Sequence, residues 1–207
     1  MKITLFEKIF WKVFEKDYKN EIVNTLHKEN AESIMKQARV NFEKMYNSIV
    51  PEVNGRFKSN LILASIVGGI YLALDKAVSV DDMYKINSNV LHNNKFFKKA
   101  VISERNYTDK GQKKLQESAD ISQKQNNPYD WRFKYIKGQS HLEYKVEFDT
   151  CGILHLYTKW NIRELTPSMC KLDYDMASLN NTEFLRDGTL YKGNKVCDCH
   201  YIHKVKK

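Results

Sequence analysis

The sequence predicts an α+β fold in which an N-terminal helical half packs with a C-terminal antiparallel sheet and two short helices. Three observations carry this prediction. Apolar residues recur at helical spacing through the first half, from Phe6 onward. Only 8 Gly and 3 Pro interrupt the chain, so long regular elements are favoured. Beyond Pro128 the apolar period changes to two, the signature of strands with one buried face. A length of 207 residues with 42% hydrophobic content favours one domain, divided into a helical scaffold (1–102), a polar connection (103–127) and a sheet-containing, cysteine-rich part (128–207).

The elements follow in order. Phe6, Ile9, Phe10, Val13, Phe14, Ile22 and Leu26, then Ala31, Ile34, Met35, Ala38, Phe42, Met45, Tyr46 and Ile49, define two or three amphipathic helices stopped by Pro51. Asn54-Gly55 turns into an apolar helix from about Arg56 to Ala77. Its apolar run, Leu61 to Leu74, is about 14 residues against the roughly 20 that span a bilayer, and Asp75 and Lys76 close it. It therefore reads as a buried core helix, whose Gly68-Gly69 pair permits a close crossing. Ser79-Val80-Asp81-Asp82 caps a further helix running to about Val101. His27 and His92 on this scaffold read as surface or capping residues.

Ser103 to Gln125 is strongly polar with one weak apolar stripe, which describes either an exposed helix or a mobile connection. After Asn126-Asn127-Pro128, Trp131, Phe133 and Tyr135 share one face of a strand, Lys137-Gly138 turns, and Tyr144, Val146 and Phe148 share a face of the next. Cys151 opens a helix through Trp160, and Pro167, with Thr166 as cap, begins another. Leu185 to Tyr191 and Val196 to His203 then form a second strand pair around Lys192-Gly193-Asn194. Turns this short join antiparallel strands only.

A formal net charge of +9, from 34 Lys+Arg against 25 Asp+Glu, is spread along the chain, and none of the arginines sits in a basic run. This describes a solvated surface and argues against a nucleic-acid partner. The start, Met-Lys-Ile-Thr-Leu-Phe-Glu-Lys, has charges breaking its apolar run and no small-residue cleavage site, so a cytoplasmic protein without membrane attachment is expected. No glycine-rich turn precedes Lys-Ser or Lys-Thr, so no nucleotide or other cofactor is expected, and a small molecule is the expected partner. Oligomeric state is left open.

Chemistry concentrates in the last third. All four cysteines, Cys151, Cys170, Cys197 and Cys199, fall there. In a reducing compartment this favours a reactive thiol or a metal site over disulfides, beside the alternative that they pack as small hydrophobes. Cys197 and Cys199 share one face of the last strand, and His155 and His200 are within reach of the cluster. Zinc ranks below a reactive thiol, because Cys197-Asp198-Cys199 is not the usual knuckle spacing. Asp173, three residues after Cys170, lies on the same helical face about one turn away, which suits acid/base work beside a nucleophile.

The stretch Asn127-Pro128-Tyr129-Asp130-Trp131, the pair Cys151-Gly152, the segment Pro167-x-x-Cys170-x-x-Asp173, and Gly188-Thr189-Leu190 with Gly193-x-x-x-Cys197 together resemble the L-2-amino-thiazoline-4-carboxylic acid hydrolase family. The likeness covers about 126–203, with a looser one over the helical half. Cys199 and His200 depart from it, standing where aromatic or apolar residues are expected. The resemblance implies a hydrolase that opens a cyclic amidine thioether to N-carbamoyl-cysteine. It implies Cys170 or Cys151 as nucleophile, with the thiolate favoured by a helix N-terminus, and Asp173 as proton carrier. Cys197 completes the expected site; on charge alone Arg186 or Arg163 is expected to hold the substrate carboxylate, and His155, within reach of the cluster, is expected beside it. No metal is implied. The rival reading is a non-catalytic small-molecule-binding or thiol-sensor module on the same fold.

Overall fold

A computed structural model describes residues 3–49 and 57–204. The expected breaks at Pro51 and Asn54-Gly55, and the helix start at Arg56, lie outside the described residues.

Helix α1 (Leu5–Leu26) starts in a capping box, with Thr4 and the Glu7 carboxylate answering each other's backbone N–H groups, and ends at His27 in the left-handed region (φ 53). It buries Trp11, Phe14, Tyr18 and Ile22. Helix α2 (Ala31–Asn47) crosses α3 (Lys58–Ala73) so closely that a Cβ on Gly69 would stand 2.7 Å from the Ala38 carbonyl oxygen. Every residue of α3 from Leu61 to Tyr71 is buried, which makes it the central helix of the main core. Among the described residues no helix is long and apolar enough to cross a membrane.

The helix expected to run from Ser79 to Val101 is two helices, α4 (Val80–Asn93) and α5 (Lys95–Val101). Asn94 breaks it. Its backbone is extended, its Oδ1 accepts from Phe97 N at 2.8 Å, and its Nδ2 donates to Val13 O at 2.9 Å, so one side chain caps the new helix and ties it to α1. The polar connection resolves as helix α6 (Asp109–Ser122), capped by Thr108 and laying Leu115 and Ala119 on the sheet. Its weak stripe is enough because only one narrow face is covered. Buried Gln112 pins it, donating from Nε2 to His141 O at 2.8 Å and accepting from Tyr135 OH at 2.7 Å.

The sheet comprises β1 (Phe133–Lys137), β2 (Glu143–Phe148), β3 (Thr182–Leu185) and β4 (Cys197–His203), all neighbours antiparallel, in the order β1-β2-β4-β3. Val146 stands opposite Cys199, Phe148 opposite Cys197, and Tyr201 between Tyr144 and Phe184, so these side chains share the inner face. Trp131 falls just outside β1 and packs against Phe57, ring centroids 4.9 Å apart. Between β2 and β3 lie three short helices rather than two: α7 (Gly152–Lys159), α8 (Thr166–Cys170) and α9 (Leu172–Leu179). The strand expected at Leu185–Tyr191 ends at Leu185. The chain then curls because the Thr189 side chain accepts from Lys192 N, closing a 3-10 turn that ends on Gly193 at φ 88. Such a φ suits glycine and few other residues.

Candidate active site

A cavity of about 250 Å³ opens between the inner sheet face, α7 and the α8–α9 junction, and all four cysteines, Asp173 and Arg186 line it. Its other wall is apolar, formed by Phe57, Trp131, Phe148, Ile153 and Met169.

Each polar group arrives by its own local rule. Cys151 is the N-cap of α7, and its Sγ accepts from Leu154 N at 3.5 Å. The turn there requires Gly152, since a Cβ at that position would lie 2.1 Å from the Tyr129 carbonyl oxygen. Cys170 is the last residue of α8 and Asp173 sits in the first turn of α9; Lys171 between them keeps helical backbone angles (φ -66, ψ -25), so the thiol and carboxylate, three residues apart, share one wall. Arg186 follows β3 with its side chain only 6% exposed. It donates from Nη1 to Asp173 Oδ2 at 2.6 Å and from Nη2 to Cys170 O at 2.8 Å. That fork fixes the carboxylate against the α8 terminus. Cys197 and Cys199 point inward from alternate positions of β4, and Cys197 Sγ accepts from Leu190 N at 3.2 Å.

Burial dominates the electrostatics. It pushes the Cys151 thiol up to about 11 and that of Cys199 up to about 12, and it raises Cys170 and Cys197 as well. The neighbouring Asp173 charge adds to the effect at Cys170 and Cys199. The resting thiols are therefore protonated, against the sequence expectation of a thiolate favoured by a helix N-terminus. Cys170 closes a helix rather than opening one, and at Cys151 the cap hydrogen bond is too weak to offset desolvation. Asp173 is raised above its ordinary value by burial, with Arg186 pulling the other way. Its side chain keeps 31% of its surface accessible, so it is half-buried in the cavity wall.

The remaining expectations separate. Arg163 is exposed and turned away, its Nη2 bonding Tyr191 O at 2.5 Å and its guanidinium lying 4.6 Å from the Tyr191 ring centroid. His155 is exposed on α7 and meets the edge of Tyr129. Neither lines the cavity. His200 falls on the outer sheet face, 2.8 Å from Glu143 Oε1, because strand side chains alternate. Two polar lining residues went unread, Tyr201 and Asn60. The Cys197, Cys199, Tyr201 alternation carried the signal for the first, while nothing in the sequence marked Asn60. Among the described residues, no group of three or more His, Cys, Asp or Glu side chains is placed to hold a metal ion.

A four-stranded antiparallel sheet closed by helices over a cavity lined with thiols and one arginine-clamped carboxylate defines an α+β protein with a small-molecule-sized site. Comparison with protein families is more specific: the L-2-amino-thiazoline-4-carboxylic acid hydrolase family model matches residues 59–201, more than half of the chain, and the protein belongs to that family. The match reaches back through α3 to α6, so the family's pattern includes the helices that support the site. No curated protein and no solved structure matches the chain.

Proposed function

We propose that the protein opens a cyclic amidine thioether of the 2-amino-thiazoline-4-carboxylate type with water, yielding N-carbamoyl-cysteine. The observation that carries this is the Asp173 carboxylate, held by Arg186 in the same cavity as the four thiols. A base of raised affinity for protons is better matched to neutral pH than a free aspartate. Family membership supports the same chemistry.

In this reading water attacks the carbon between nitrogen and sulfur, and Asp173 takes its proton and returns it to the ring nitrogen. The carbon–sulfur bond then breaks, the new hydroxyl becomes the urea carbonyl, and its proton passes to the departing sulfur. Substrate plus one water gives product, and Asp173 ends ionised as it began. Cys170, one turn before Asp173 on the same wall, is placed to pass that last proton, while Cys151 and Cys197 present S–H groups to the ring. Arg186 acts as a positioning residue, since both its terminal nitrogens are engaged.

The test is incubation of purified protein with L-2-amino-thiazoline-4-carboxylate, without added metal or nucleotide, following thiol release and product mass. One new thiol per substrate consumed is expected. No turnover of this or any related 2-amino-thiazoline would overturn the reading in favour of a binding module, which the raised thiols also suit.

A further inference from the structure

A second cavity of about 190 Å³ lies on the far side of Asp173, which lines it together with Tyr201. Both residues also line the thiol cavity, so they form the partition between two chambers. The two differ in character. The first has an apolar wall suited to a ring, whereas the second carries Ser103, Asn106 and Asn180 together with the Tyr107 and Tyr144 rings. Ser103 is exposed, so this chamber reaches the surface by a route separate from the Phe57–Trp131 wall. At about 30 Å³ per molecule, 190 Å³ has room for about six waters, and the hydroxyl and amide groups supply the partners that ordered water needs. The Tyr201 side of the partition is held in place, its ring stacked on Tyr144 and packed against Phe184 with centroids 4.9 Å away in both cases, which leaves the Asp173 carboxylate as the side at which the two chambers meet.

We propose that this second chamber delivers the hydrolytic water to Asp173 from the side opposite the substrate. The proposal rests on the hydrolase reading above. A ring seated against Asp173 in the thiol cavity displaces the water next to the carboxylate on that side, yet each turnover consumes one water molecule at the substrate carbon. Arg186 holds Oδ2 of Asp173, and the carboxylate faces both chambers, so a water taken from the rear is met by its base at the wall of the substrate site. Asn106, which donates to Tyr144 OH at 3.4 Å, and the Tyr107 hydroxyl, bonded to Thr182, line the path.

Two variants test it with L-2-amino-thiazoline-4-carboxylate as substrate. Ala177→Phe fills the rear chamber from α9, and Ser103→Trp covers its exposed rim without touching the core. For each, kcat is expected to fall tenfold or more with KM within twofold. The solvent deuterium isotope effect on kcat is expected to drop toward unity, because water entry then limits the rate in place of proton transfer. Ser178→Trp, exposed on the same helix and outside both chambers, should match the unaltered protein. If Ala177→Phe does not fold, Ser103→Trp decides. Unchanged kcat and isotope effect in folded variants overturn the rear route and leave the hydrolase intact, whereas no turnover in the unaltered protein removes both.

Discussion

Replacing Asp173 by Asn keeps the shape of the side chain and removes its proton-carrying capacity. General acid–base catalysis of this kind is worth about 10²–10⁴ in rate, so kcat should fall by at least about 10², or roughly 2.7 kcal/mol of transition-state stabilisation. The same change leaves the Arg186 charge without its carboxylate. Breaking a fully buried pair costs roughly 3–5 kcal/mol, but here the cost is smaller. Arg186 keeps its bond to Cys170 O at 2.8 Å, the Asn oxygen still accepts from Nη1, and Asp173 is 31% exposed. A loss of about 1–2 kcal/mol follows, measurable as a shift in the urea midpoint. The double variant Asp173→Asn/Arg186→Met removes the stranded charge and should regain most of that stability while turnover stays low. In the unaltered protein, burial raises Asp173 against the pull of Arg186, so the acid limb of the kcat/KM profile should lie above that of an ordinary aspartate and rise as the group ionises. Turnover within threefold of the original in the single variant, or recovery of turnover in the double variant, refutes the role given to Asp173.

Two further outcomes concern the scaffold. Glu7 is 1% exposed, and although burial opposes its ionisation, hydrogen bonds from Thr4, Lys58 and the backbone lower it from 4.5 to about 2. At 1.36 kcal/mol per pH unit this is about 3 kcal/mol of stability, present above pH 4.5 and lost as pH falls from there toward 2. Glu7→Gln should therefore lower stability by about that amount at pH 7 and by little near pH 2, as read by denaturant titration at both; an equal loss at the two pH values contradicts it. Gly69→Ala should cost at least roughly 1–3 kcal/mol, because its Cβ meets the α2 backbone at Ala38 O (2.7 Å) and Phe42 N (2.8 Å). Gly68→Ala should stay within about 1 kcal/mol of the original, since its nearest neighbour at 2.9 Å is the flexible end of Met45 and alanine is the better helix former. Equal melting temperatures for the two variants would contradict this ordering.

What the sequence revealed and what it hid follow one physical division. Period and punctuation are local, so the existence of the helices, the Lys137-Gly138 hairpin and the helix opening at Cys151 were legible, and with them the α+β class, whereas the buried face of α1 was not: Phe6 and Ile9 of the expected stripe are exposed, and Trp11 and Tyr18 are buried in their place. Asn94 and Thr189 were misread because each acts through its side chain on backbone groups a few residues away, overriding an apolar pattern that otherwise runs on. At the site, the residues picked out by the Cys170–Asp173 spacing and the β4 alternation line one cavity. Arg163 and His155 were chosen by charge and proximity along the chain, and neither property says which way a side chain points. The Arg186–Asp173 pairing joins residues thirteen positions apart across a helix-to-strand turn, and no periodicity encodes it.

The strand order has a consequence for how the protein comes to be folded. β4, last in the chain, inserts between β2 and β3, so β2 keeps one edge open until residues 197–203 arrive, about fifty positions after it. The α2–α3 crossing and the β1–β2 hairpin form from near neighbours and can assemble early, whereas the central ladder requires closure of a long loop. Because Cys197, Cys199 and Tyr201 ride on that last strand, the chemical cavity and the partition behind it come into being in the same late step. Until then the edge of β2 is an open template for pairing with other chains. Folding of this protein should therefore show a slow phase that reports on the sheet, and recovery of thiol protection should coincide with that phase rather than with the earlier gain of helix.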